Sequence, residues 1–163
     1  MAGLDWALSH DYTVLTIVDI AARAVVHVDR FNGIEYSLQR MRIGEALKRY
    51  NAVCIAEANA MGKPNNDMLR AAGCRVRDFT TTNTTKSDAI ESLASAFEQG
   101  NIKILNDAIA IGELESYESE RLGSGAVKYG APAGMHDDTV MSLALAWHGI
   151  TEVARSDLSK YGW

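Results

Sequence analysis

Two hydrophobic periods divide this chain. Residues 2–8, 12–20 and 24–31 form short runs of small, β-branched and aromatic residues joined by brief polar links, which predicts a three-strand antiparallel meander. The first link, Ser9-His10-Asp11, suits a hairpin. Asn32-Gly33 breaks the pattern, and residues 35–50 read as a helix with Leu38, Met41, Leu47 and Tyr50 near one face. Residues 52–56 are a continuous apolar run ending at Glu57, which is how a strand buried on both faces reads. A second helix follows, with Pro64 in its first turn, an apolar stripe of Met68, Leu69 and Ala72, and Gly73 as a left-handed cap.

Residues 74–79 give another short strand. Thr85-Lys86-Ser87-Asp88 resembles a capping box that opens a helix through Ile90, Leu93, Ala94 and Phe97, closed by Gly100. Residues 102–105 read as an edge strand. From 111 to 128 the pattern admits two readings: residues 113–117 pair with 126–129 around Gly123-Ser124-Gly125, or the first arm is a short helix. The last helix, residues 137–153, carries Val140, Leu143, Ala144, Trp147 and Ile150 on one face. A meander followed by alternating strands and helices is a mixed α/β sheet with helices on both faces. It is no dinucleotide-binding fold, because no glycine-rich turn follows the first strand.

At 163 residues and 47% hydrophobic, the chain can bury one core. Residues 1–155 are expected to form one domain and 156–163 a polar tail, a unit belonging to a longer chain. No run approaches the ~20 apolar residues of a membrane span, so the chain reads as soluble and cytoplasmic. Cys54 and Cys74 lack any metal or redox spacing and read as reduced core residues. A net charge of −5 argues against holding nucleic acid by a broad basic face. It leaves room for a nucleic-acid enzyme whose carboxylates bind divalent cations.

Three acidic positions stand where strand ends and a helix start can converge: Asp5 in the first strand, Glu57 ending the fourth, and Asp137-Asp138 opening the last helix. Singly, each has an ordinary structural reading. Asp5 can face water at a sheet edge, Glu57 can cap a turn, and a first-turn Asp gains ~0.3–1 kcal/mol from the helix dipole. Together, like charges at one spot repel unless cations fill the site, and hard oxygen ligands select Mg²⁺ or Mn²⁺. Two such ions can hydrolyse a phosphodiester without a protein nucleophile. The chain offers no Ser-His-Asp or Cys-His pattern.

In order and spacing, Gly3-Leu4-Asp5-Trp6-Ala7 with Asp11-Tyr12-Thr13, Ile55-Ala56-Glu57-Ala58-Asn59, Thr82-Asn83-Thr84-Thr85-Lys86, and His136-Asp137-Asp138 before an Ala/Leu-rich helix resemble one family over nearly the whole chain. It is the C-terminal nuclease domain of tailed-bacteriophage terminase large subunits, within the RNase H-like superfamily. The resemblance implies an RNase H-like fold and a Mg²⁺- or Mn²⁺-dependent endonuclease that cuts concatemeric double-stranded viral DNA at packaging initiation and head filling. It implies Asp5, Glu57 and Asp138 as metal ligands, Asp137 as a helper or alternative ligand, and Asp11 as an orienting group. Lys86 then contacts a phosphate or the site's rim, or is a solvated capping-turn lysine. His136 positions water or DNA, or is structural. Arg121 and Lys128, with Arg75, Arg77 and Lys103, supply backbone contacts, and the segment 121–129 is a hairpin able to touch or gate DNA. The implied partners are double-stranded DNA, the packaging ATPase domain of the same full-length protein, the portal and the small terminase, in the host cytoplasm. No Gly-x-x-x-x-Gly-Lys-Ser/Thr loop is present, so only the nuclease half is implied. Competing readings are a Holliday-junction resolvase, a hybrid nuclease, a silent RNase H-like module, and an actin-like ATP-binding half-domain whose phosphate turn is missing after Asp5.

Overall fold

The computed structural model describes residues 1–7, 11–121, 123 and 127–159, with side chains up to residue 154. Its elements are β1 (Ala2–Asp5), β2 (Thr13–Asp19), β3 (Ala24–Phe31), α1 (Tyr36–Arg49), β4 (Val53–Glu57), α2 (Gly62–Ala71), β5 (Arg75–Phe79), α3 (Asn83–Glu98), α4 (Ala108–Ser116), β6 (Glu118–Arg121), β7 (Val127–Gly130) and α5 (Asp138–Ser159). The main sheet runs β3-β2-β1-β4-β5, and β6-β7 form a separate hairpin. β1, β2 and β3 pair antiparallel, whereas β4 and β5 continue the sheet in parallel. The mixed sheet expected from the sequence is therefore present.

Its two faces carry separate apolar clusters. Ile43 and Leu47 of α1 and Leu69 of α2 cover Leu4, Leu15 and Cys54 on one side. On the other, Ile90 and Leu93 of α3 and Val140, Leu143 and Trp147 of α5 cover Val18, Ile55 and Phe79. Both cysteines are free and buried. The α5 helix lies against β1 without a side-chain layer between them: a Cβ on Gly3 would overlap the Ser142 carbonyl and the Ala146 amide nitrogen. A buried hydrogen bond between the Thr16 and Ser142 hydroxyls, 2.6 Å, ties the same turn of α5 to β2. Because side chains alternate along a strand, Asp5 shares the Gly3 face and meets α5 at its start.

Several expected boundaries move, each for a local reason. The first strand ends at Asp5 rather than residue 8, because the Ala7 amide donates to the Thr13 hydroxyl at 2.8 Å and leaves the ladder. Asp5 thus sits at the strand end, not mid-strand. Leu38 and Met41 are exposed on α1 and Tyr50 partly so, while Gln39 is buried. Its amide donates to the Ile34 carbonyl at 2.9 Å, and its oxygen meets the Thr13 hydroxyl at 2.8 Å. On α2, Asn65 and Asn66 are buried beside Leu69, and Met68 is exposed. The cap of α3 is Thr82 in reciprocal contact with Thr85, so Lys86 lies inside the helix. Residues 102–105 form no strand, only an isolated bridge of Lys103 to Ala24. Between 108 and 130 a helix precedes the hairpin, whose first arm is 118–121. The α5 helix begins at Asp138 and runs to Ser159, past the expected end at 153. Ser9 and His10 of the first link, Ser124 and Gly125 of the hairpin tip, and residues 160–163 lie outside the described residues.

Candidate metal centre

Parallel pairing of β1 with β4 sets Leu4 beside Ala56, which brings the next residues, Asp5 and Glu57, together at the carboxyl ends of adjacent strands. Glu57 is fixed by the chain behind it. A Cβ on Gly62 would overlap the Glu57 carbonyl oxygen, and the Asn66 amide donates to that oxygen at 3.0 Å. The Asn66 side-chain oxygen accepts the Trp6 indole N–H at 2.9 Å, so one buried amide ties the end of β1 to the end of β4.

The first turn of α5 closes the third side. Asp5, Asp11, Glu57, Lys86, Asp137 and Asp138 line one cavity of about 390 Å³. Asp138 is 7% exposed, and its Oδ2 accepts the Tyr12 backbone N–H at 3.1 Å. Burial, and after it the charges of Asp11 and Glu113, push its carboxyl up to about 6 against the pull of the Tyr12 amide and His136. Asp5 is held well above the ordinary carboxylate range by burial, then by the charge of Glu57 and a hydrogen bond with it, then by Asp138 and Asp137. Asp137 Oδ2 meets Lys86 Nζ at 3.1 Å, and that ammonium also lies 5.9 Å from the Tyr117 ring centre. The Tyr117 phenol is pushed up by burial and then by Asp137 and Asp5, so it stays a neutral hydroxyl.

On the outer side, His136 Nδ1 is 3.4 Å from Asp11 Oδ1 and 3.7 Å from Asp138 Oδ2. The imidazole packs edge-on to Tyr12 at 5.2 Å. Ligand atoms of Asp11, His136 and Asp138 all lie within 4.8 Å of one another, close enough to face one cation. The donor set is oxygen-rich, and among the described residues Lys86 is the one cationic side chain lining the cavity. Hard divalent ions fit such a set.

The four carboxylates singled out in the sequence are thus brought together, and Lys86 lies among them. Arg121 and Lys128 are exposed on β6 and β7 and do not line the cavity. Arg75 and Arg77, on the edge strand β5, face Asn51 and Glu152. Sequence reasoning missed the groups behind the site, namely Asn66, Tyr12, Tyr117 and the Glu113–Arg30 pair. A signal for Glu113 exists: it is the first acid in the otherwise apolar opening of its helix, Ala108-Ile109-Ala110-Ile111-Gly112.

A five-strand mixed sheet with carboxylates gathered at the ends of the adjacent strands β1 and β4, and helices on both faces, defines an RNase H-like domain. A family model for the terminase RNaseH-like domain matches residues 2–148, and the chain belongs to that family. The terminase large subunit of Thermus virus P23-45 is 31% identical over 147 residues, 89% of this chain and 30% of the relative. The chain therefore spans about 30% of the length of that curated relative. The crystal structure of the large terminase nuclease from the thermophilic phage G20c is similar with a TM-score of 0.84 at 30% identity, covering 90% of this chain and 80% of that one. The large terminase of bacteriophage HK97 shares the fold, with a TM-score of 0.72 at 14% identity over 91% of this chain and 38% of that one.

Proposed function

We propose that this domain is the endonuclease of a phage large terminase, cutting concatemeric double-stranded DNA during packaging with Mg²⁺ or Mn²⁺ held by Asp5, Glu57 and Asp138, and Asp137 as the fourth carboxylate. The observation that carries this is the convergence of the four carboxylates in one cavity, where burial first and the neighbouring carboxylates after it hold the Asp5 proton well above the usual range. A set that strained without a cation is suited to binding one. The G20c nuclease, a relative of 30% identity, has been crystallised with bound magnesium.

Divalent ions there would supply Lewis acidity at the scissile phosphate and a lowered pKa for attacking water. The chain's own residues divide the remaining work. Asp138 is preset by the Tyr12 amide, and Asp5 and Glu57 are preset by strand register and by Asn66. Lys86 neutralises Asp137 and offers a donor to a phosphate oxygen at the cavity wall. Arg121 and Lys128, on the hairpin beside α3, would meet DNA backbone beyond the cavity; the tip end of β7 is tied to α3 by the Asn83 amide donating to the Val127 carbonyl at 3.2 Å. In the full-length protein the reading adds the packaging ATPase domain, the portal and the small terminase as partners, in the host cytoplasm. No helix among the described residues is long and apolar enough to cross a membrane.

The test is nicking and linearisation of supercoiled plasmid in Mg²⁺, Mn²⁺ or EDTA. The wild type is expected to cut only with a cation, and Asp5→Asn and Asp138→Asn to lose at least about a hundredfold in rate, as when an inner metal ligand is lost. Cutting in EDTA, or undiminished cutting by either variant, would remove the metal assignment.

A further inference from the structure

Behind Asp138 lies a buried ion pair that the four carboxylates do not account for. Glu113 of α4 is 7% exposed, and both of its carboxylate oxygens are engaged. Oε1 meets Arg30 Nη2 at 3.1 Å, and Oε2 accepts the Thr139 backbone N–H at 2.8 Å. Thr139 directly follows Asp138. The first N–H groups of a helix have no partner inside it, and the residue best placed to cap α5, Asp137, is turned toward Lys86. A side chain from another helix takes that role instead. Burying a carboxylate and a guanidinium for one cap is a poor source of stability, because desolvation offsets most of the attraction. The arrangement makes more sense as geometry.

Arg30 supports this from a second direction. Its guanidinium lies 3.3 Å from the Tyr12 ring centre, and Tyr12 is the residue whose N–H holds Asp138 Oδ2. The pair thus reaches Asp138 twice, through the α5 backbone and through the Tyr12 backbone. We propose that Glu113, paired with Arg30, is a positioning residue for cleavage that fixes the Asp138 carboxylate in the orientation a cation needs; this rests on the nuclease reading above. Groups that orient a metal-binding side chain typically change metal affinity or activity by about 10- to 100-fold when removed.

The experiment titrates plasmid cleavage with Mn²⁺ for the wild type, Glu113→Ala, Glu113→Gln, Arg30→Met and Asp138→Asn, with Leu47→Ala as a control that loosens the opposite apolar cluster. Glu113→Ala is expected to raise the Mn²⁺ concentration for half-maximal rate about tenfold or more and to lower kcat about 10- to 100-fold. KM for DNA should stay within about twofold, because no phosphate contact is lost. Glu113→Gln keeps an oxygen for the Thr139 N–H and should recover much of the rate, whereas Leu47→Ala should lower Tm and leave the Mn²⁺ requirement unchanged. A Glu113→Ala protein with wild-type Mn²⁺ dependence, or a shift that Leu47→Ala reproduces, overturns the proposal. If Glu113→Ala does not fold, Arg30→Met decides: a raised Mn²⁺ requirement supports the proposal and a wild-type requirement overturns it. A wild type inert with both cations, or an Asp138→Asn protein as active as wild type, sinks the nuclease reading itself. An active wild type with dead Asp138→Asn and normal Glu113→Ala sinks only the positioning role.

Discussion

Asp5 and Asp138 hold their protons more tightly in the folded cleft than in an unfolded chain. For a carboxyl shifted upward, the stabilising contribution is complete below the unfolded value and is lost as pH rises through the folded one. Asp138 alone, moved from 3.8 to about 6, forfeits roughly 3 kcal/mol by neutral pH. The cation-free domain should therefore have a higher Tm at pH 5 than at pH 8. Asp5→Asn should raise Tm at pH 8 in EDTA by several degrees, with a gain that shrinks toward pH 4 and with cleavage lost. A thermal scan across pH in chelator checks this, and a Tm for Asp5→Asn at or below wild type at pH 8 would show that burial and neighbouring charge do not penalise the ionised Asp5. At this scale the sequence was legible where chemistry contradicted its surroundings: Asp5 inside an apolar run, Glu57 at the end of one. Lys86 was legible as a basic residue near a helix entry but not as the partner of Asp137, 51 positions away. Glu113 stood out in the sequence only as an acid after an apolar helix opening, and its role was opaque for the same reason, since both of its partners, Arg30 and Thr139, come from other elements.

Among the elements, the contact of α5 with β1 is the most demanding. Gly3→Ala places a methyl group where the Ser142 carbonyl already sits, and backbone cannot give way as a side-chain tip can. Overpacking of this kind costs at least about 3 kcal/mol, which for a domain of this size is about 10 °C in Tm. Calorimetry or circular dichroism measures it, and a shift of under about 2 °C would mean the helix can lift from the strand at little cost. The apolar face of the same helix was legible, because its positions keep one period from Val140 to Ile150, although its end was not. The faces of α1 and α2 were read only in part: Leu47 and Leu69 are buried as expected, but amides stand where other apolar residues were sought, with Gln39, Asn65 and Asn66 buried, each satisfied by a partner far along the chain or a nearby carbonyl. Periodicity sees polarity and not satisfaction. Residues 102–105 have strand composition, yet they make only the single bridge to Ala24.

Over the whole molecule, a net charge of −5 and an acid-lined cleft leave little to hold DNA unless cations are present. Duplex binding followed by fluorescence anisotropy should be at least about tenfold weaker in EDTA than in Ca²⁺, with a shallow dependence on salt because few phosphates are neutralised by side chains. Equal binding in both conditions would point to a basic surface outside the cleft. The order of elements through α3, the mixed sheet and the two covered faces were legible in the sequence because they follow from periods and turn residues. The meeting of strand ends with α5 was legible only as a possibility of the topology, since it depends on a register that no local pattern encodes. The bare backbone contact at Gly3 also has a mechanical meaning. With no compliant side-chain layer between helix and strand, load applied to α5 passes straight into the strand that ends in Asp5, and Asp5 and Asp138 travel together as one stiff body. The spacing of those two carboxylates is then insensitive to forces on the helix.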